Sequence, residues 1–128
     1  MEHFLFVGAS GFFEKGSPVG VINSDGLVYR GGTTVMGNKK LIGKSCNGDV
    51  FKEDGGFFST YTRIGTYRNG KIYRLKSPGG YDEVEAGCYD NHTVYQLAGG
   101  WGSKREIGQY EGDPAGAAAL LLLYDMLV

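Results

Sequence analysis

The chain is poor in the residues that most often declare a function. Among its 128 residues are two Cys, two His, three Pro and one Trp. Two cysteines, Cys46 and Cys88, are too few for a disulfide framework, and each reads as a small buried hydrophobe. No pair of Cys or His has the C-x-x-C or H-x-x-x-H spacing of a metal site. A Cys/His pair would need Cys46 or Cys88 beside His92, which falls in a predicted turn, and nothing in the pattern requires it. So little proline, with no three-residue glycine period, excludes a collagen-like chain. An excess of charge of one sign is missing too: 13 basic and 14 acidic residues leave a net charge of −1. Long apolar runs are absent. The longest stretch, Ala115 to Tyr124, is about half the roughly 20 residues a membrane helix needs. Met1 to Val7 carries Glu2 and His3, has no basic start, and is too short for the apolar region of a secretory signal. The expectation from these features is a cytoplasmic protein without a cofactor. No glycine pair is part of a G-x-x-x-x-G-K-(S/T) phosphate loop.

What the chain has in plenty is glycine, 23 residues, more than twice the usual share of roughly 7%. The glycines are periodic. Gly20, Gly43, Gly65, Gly87 and Gly108 are spaced by 23, 22, 22 and 21 residues. Each follows a small or apolar residue: Val19, Ile42, Ile64, Ala86, Ile107. Four residues on come turn signals, Asn47-Gly48, Asn69-Gly70 and the weaker Asn91-His92, with Ser24-Asp25-Gly26 in the first copy. Then come Val28-Tyr29, Val50-Phe51, Ile72-Tyr73 and Val94-Tyr95, and a second glycine punctuation at Gly31-Gly32, Gly55-Gly56, Gly79-Gly80 and Gly99-Gly100.

Asn-Gly between alternating apolar runs predicts a β-hairpin, because a type I′ turn needs positive φ at both central residues. Each period is therefore two strands and two turns. A two-residue turn at Asn69-Gly70 pairs Arg68 with Lys71, Tyr67 with Ile72, Thr66 with Tyr73, Gly65 with Arg74 and Ile64 with Leu75. Alternation then places Ile64, Thr66, Tyr73 and Leu75 on one face, and Gly65, Tyr67, Ile72 and Arg74 on the other. Phe4 to Val7 with Gly11 to Glu14 looks like a shortened leading copy, and Ile107 to Glu111 is half a copy. Half copies at the two ends can pair and close a ring, removing exposed strand edges. Asp113-Pro114 predicts a helix start. The helix, about 114–127, is apolar all round and must be buried; it is expected to plug or cap the ring. The whole is one domain, 1–128: mainly β, about four hairpins closing into a ring or barrel, with one short buried C-terminal helix.

These tandem G-x-x-x-N-G-x-(V/I)-Y units, ending in Asp-Pro-Ala-Gly-Ala-Ala-Ala-Leu-Leu-Leu-Leu, resemble the small bacterial four-fold β-flower domain proteins over about Gly11 to Leu123. The resemblance implies an all-β pseudo-symmetric arrangement and no established activity, so no site residue follows from it.

The candidate site comes from the residues themselves. Tyr29, Tyr67, Tyr73, Tyr89, Tyr95 and Tyr110 occupy equivalent or neighbouring slots of the repeat. They either pack a core layer or line equivalent shallow pockets, as in repeat lectins. Residues 39–76 hold nine basic and three acidic side chains, a local charge of +6, against −7 for the remainder. Such a strip suits the acidic half of another copy, an acidic protein or, less well, single-stranded nucleic acid. Tyr67, Tyr89, Tyr110, Arg68 and Arg74 are the expected binding residues. The expected function is a non-catalytic binding or interaction module; the alternatives are a carbohydrate-binding module and, less favoured, a hydrolase using Asp82, Glu83, Glu85 and His92 of the fourth repeat.

Overall fold

The computed structural model describes residues 2–8, 16–34, 37–55, 60–97 and 103–128. Ten strands, β1 (His3–Val7), β2 (Ser17–Ile22), β3 (Leu27–Gly31), β4 (Lys39–Cys46), β5 (Asp49–Glu53), β6 (Tyr61–Arg68), β7 (Lys71–Leu75), β8 (Glu83–Asp90), β9 (Thr93–Leu97) and β10 (Lys104–Tyr110), precede the helices α1 (Ala115–Leu122) and α2 (Tyr124–Leu127). Each strand pairs antiparallel with its neighbours in sequence, and β1 also pairs with β10, closing a barrel. Closure leaves no strand edge for another chain to extend. The expected Gly11–Glu14, Gly55-Gly56 and Gly99-Gly100 features lie wholly or partly outside the described residues.

Left-handed turn pairs explain three of the four covalent hairpins. Asn47, Asn69, Asn91 and His92 have φ of 54°, 52°, 48° and 63°, with Gly48 and Gly70 at 86° and 82°. The Asn91-His92 turn therefore adopts the same left-handed pair without glycine. The register of β6 and β7 runs Arg68 to Lys71, Tyr67 to Ile72, Thr66 to Tyr73 and Gly65 to Arg74, as the turn dictates. The two half copies, β10 and β1, supply a fifth hairpin-like pair joined only by hydrogen bonds. Across this seam Phe4 N–H donates to Glu111 Oε1 at 2.9 Å, and the buried Gln109 accepts from Gly16 N–H and donates to the Gly8 carbonyl at 2.8 Å.

One irregularity recurs five times. The pairing slips next to Val19, Ile42, Ile64, Ala86 and Ile107, the residues that precede the aligned glycines. These are β-bulges, which bend a strand and raise its twist. They corrected one expectation: with alternation broken on β6, Ile64 leaves the face of Thr66 and Tyr73 and packs on the core, whereas Leu75, on the unbulged β7, keeps the face of Tyr73. Both line a groove against Leu122 at the end of α1.

The glycines mark where the helix enters. A Cβ on Gly108, Gly87, Gly65, Gly43 or Gly20 would lie closer than 3.0 Å to Leu120, Leu121, Leu122, Leu123 or Leu127 respectively, and as close to a carbonyl of the adjoining strand. An α-helix turns about 100° per residue, somewhat more than one fifth of a circle. Successive leucines so point in different directions, and Leu120 to Leu123 meet the glycines of four successive sectors of the barrel. Around them Leu5, Val28, Val50, Ile72 and Val94, one per sector, form a ring with no solvent exposure. All of α1 is buried. Asp113 Oδ1 accepts the N–H of Ala115 at 2.7 Å, and Pro114 is already helical with φ −57° and ψ −14°. The expected single helix over 114–127 breaks at Leu123, whose φ of −105° and ψ of 18° separate α1 from α2. The break swings Leu127 onto Gly20, the sector that the four leucines do not reach. No described helix is long and apolar enough to cross a membrane.

Candidate functional site: the turn-end mouth of the barrel

With the lumen filled, accessible chemistry lies at the two mouths and on the outer wall. At the mouth that carries the short turns, the inward residue two positions beyond each glycine forms the last layer above α1. Around the barrel this layer reads Ile22, Ser45, Tyr67, Tyr89 and Tyr110. Each tyrosine latches its hairpin to the turn of the preceding one. Gly70 N–H donates to the Tyr89 hydroxyl at 3.2 Å, and the backbone of Gly48 and of His92 serves Tyr67 and Tyr110 in the same way. Tyr89 and Tyr110 meet edge to face with centroids 6.2 Å apart. Burial, more than any charge, raises the pKa of Tyr67 and Tyr110.

The layer is incomplete where Ser45 stands in the tyrosine slot. Its side chain is fully buried, and Oγ donates to the Ala115 carbonyl at 2.7 Å. It does not fill the space a phenol would. A cavity of about 250 Å³ opens here, lined by His3, Asn23, Ser45, Cys46, Tyr67, Glu111 and Asp113 among others. Its wall is rich in hydrogen-bonding groups and contains two carboxylates, Glu111 and Asp113. Glu111 Oε1 and Asp113 Oδ1 each already accept a backbone N–H.

The expected binding residues are therefore divided among three places. Tyr67, Tyr89 and Tyr110 come together in the mouth layer, but only Tyr67 lines the cavity. Arg68 is on the outer wall, stacked on Tyr73 with its guanidinium carbon 4.0 Å from the ring centre and paired with Glu83. Arg74, opposite Gly65, reaches the other mouth. The repeated tyrosines likewise split in two. The slot holding Tyr29, Tyr73 and Tyr95, with Phe6 and Phe51, faces outward, where Lys39 and Lys104 cover Tyr29 and Tyr95 at 4.6 and 4.3 Å. Both thiols are half-buried, so neither is the core hydrophobe expected.

The fourth-repeat acids do not assemble with His92. Glu83 begins β8, while His92 follows its far end, about 25 Å away at roughly 3.3 Å per strand residue. Glu83 accepts from Thr66 Oγ1 at 2.7 Å and from Arg68, which hold its carboxyl below the usual range, Arg68 foremost. Glu85 pairs with Lys71 at 3.2 Å. Of the basic strip, Lys39, Arg63, Arg68 and Lys71 pair with acids of the same chain. No group of three or more His, Cys, Asp or Glu among the described residues is placed to hold a metal ion.

The cavity residues His3, Asn23, Ser45, Glu111 and Asp113 escaped the sequence reading. One signal was present: Ser45 occupies the slot of Tyr67, Tyr89 and Tyr110, two residues after an aligned glycine. The fold and mouth define a helix-plugged, five-sector antiparallel barrel with one interrupted side-chain ring. No protein-family model, curated protein or solved structure matches the chain.

Proposed function

We propose that the protein is a non-catalytic binding module that takes a small, neutral, polyhydroxylated ligand of about one sugar ring in the turn-end cavity. The observation that carries this reading is the break in the tyrosine layer at Ser45. It is the place where a five-fold pattern gives up packing for a polar hollow. At 250 Å³ the hollow is slightly below the ~300–1,000 Å³ of drug-sized sites. The two carboxylates of the wall suit a guest that donates hydroxyl groups, while Tyr67 offers an aromatic surface.

The test is Ser45→Tyr, which completes the layer. Ligand-observed NMR with a set of monosaccharides should show binding to the natural chain and none to the variant, with the variant no less stable. No binding of any monosaccharide at millimolar concentration, or equal binding by Ser45→Tyr, would discard the reading.

A further inference from the structure

The opposite mouth has the contrary chemistry. Here the inward positions just beyond the glycine layer are Arg30, Lys52, Arg74, Gln96 and Val7, each paired with or beside Gly20, Gly43, Gly65, Gly87 or Gly108. Lys52 and Arg74 flank a groove of about 370 Å³ whose floor is Ile64, Leu75, Pro78, Leu122, Leu123 and Met126; Asp125 also touches it. Neither cation has an ion-pair partner among the described residues, although four other basic side chains do. They stand on β5 and β7, separated by β6 and hence about 10 Å apart at the backbone, so both long side chains can reach one anionic group. Arg105 and a smaller hollow of about 120 Å³ lie on the other side of Arg74.

We propose that this groove binds a free amphipathic anion, a carboxylate on an unbranched apolar tail. The tail lies on Leu75, Leu122 and Met126, and the carboxylate sits between Lys52 and Arg74. The charge pattern selects the occupant. A purely apolar guest would leave one positive charge without a counter-charge at the groove's edge, and a small hydrophilic anion would leave the apolar floor wet. The excess of two cations over Asp125 leaves one positive charge for the guest. A second role for these cations, opposing the negative carbonyl end of α1, needs no ligand, and the test separates the two.

Decanoate is the probe, decanol its uncharged counterpart, and the labelled methyl group of Met126 the reporter by NMR. Decanoate below its micelle concentration should shift the Met126 methyl saturably. Decanol should bind at least tenfold more weakly, and so should decanoate to the Lys52→Gln/Arg74→Gln variant. Lys44→Gln, which removes a cation elsewhere, should leave decanoate binding unchanged. Should the double variant lose stability yet bind decanoate as before, the cations serve only the helix end and the site is refuted. Equal binding of decanol and decanoate, or an unmoved Met126 methyl, would refute it equally. Sedimentation with phosphatidylglycerol vesicles in the absence of any response to decanoate would assign the cations to a membrane surface and overturn the free-amphiphile site. The site lies at the far end of the barrel from Ser45, so it stands or fails independently of the cavity there.

Discussion

Gly65→Ala tests the helix-in-barrel packing at one atom. A methyl at this position meets the Tyr73 carbonyl and a methyl of Leu122, both closer than 3.0 Å. Leu122 can turn to another rotamer, although it is 6% exposed and has little room. The carbonyl cannot turn, because the Gly65–Arg74 pairing holds that stretch of β7 in register. The backbone must therefore shift, and the hairpin with it. Overpacking in a closed core costs about 1–3 kcal/mol. Two clashes, one of them with fixed backbone, place this variant near 3 kcal/mol, a large part of the 5–15 kcal/mol that holds such a domain together. The matching loss in Tm is about 10 °C. The control is Gly79→Ala. Gly79 has φ +73° and nothing within 4 Å of its missing Cβ, so only left-handed strain applies, about 1–2 kcal/mol. Urea unfolding should show a lower midpoint with an unchanged slope for both variants, and the larger drop for Gly65→Ala. The same order should hold for Gly20, Gly43, Gly87 and Gly108, each of which faces a leucine and a carbonyl in the same way. If Gly65→Ala costs no more than Gly79→Ala, the glycines are not notches for the helix, and the account of the core is wrong.

Three further outcomes follow from the same geometry. Leu123→Ala, at a side chain 1% exposed, should lower stability by about 2–5 kcal/mol in urea unfolding, through lost contact and a residual cavity. Gln109→Ala should cost about 1–3 kcal/mol, because it strips partners from Gly16 and Gly8 at the one seam that has no covalent turn; faster hydrogen exchange along β1 and β10 than along β6 and β7 would mark the seam as the first part to open. Glu83 has a folded pKa held below its ordinary value of 4.5, so its contribution to stability is complete above about that pH and is lost as pH falls through the lower, folded value. Glu83→Gln should therefore flatten the acid side of the urea-midpoint profile, and an unchanged profile would remove the Arg68–Glu83 pair from the account.

How much was legible depended on whether a feature follows from local rules. The hairpin register from Gly65 to Arg74 follows from two turn residues that accept positive φ, and it was read correctly. The aligned glycines could be found by spacing alone, and their placement in strand interiors implied the approach of another segment. Closure of the half copies followed from the cost of open edges. The bulges were not legible, because an extra residue breaks the two-residue alternation without any compositional mark. The side assignment of Ile64 failed for that reason. The break at Leu123 was hidden as well: Ala115 to Leu127 reads as one helix, and the swing that places Leu127 on Gly20 is imposed by the barrel. The turn register already put Tyr67 and Tyr73 on opposite faces, but nothing local said which face is the interior. Once Leu122 is seen against Gly65, the face of Gly65, Tyr67 and Ile72 is the inner one and Tyr73 is outside.

The arrangement also says where function can reside. In a barrel with an open lumen, any inward side chain is a candidate. Here α1 occupies the lumen, and the five glycines remove the side chains that would compete with it. Leu5, Val28, Val50, Ile72 and Val94 then seal the middle with no exposure, so the two mouths do not communicate through the core. Each mouth must act by itself, and their chemistries differ in sign: carboxylates and hydroxyls around Ser45, cations around Leu122. The five-sector core constrains what lies in the middle layer but leaves the layers above and below it open to change. Replacing one tyrosine slot by serine makes a cavity at one end, and placing Arg or Lys opposite three of the glycines charges the other end. A substitution at either mouth should therefore alter binding there without propagating across the leucine layer. Ser45→Tyr should leave the decanoate response of Met126 unaltered, and a coupled response would show that α1 moves as a piston between the mouths rather than standing as a fixed plug.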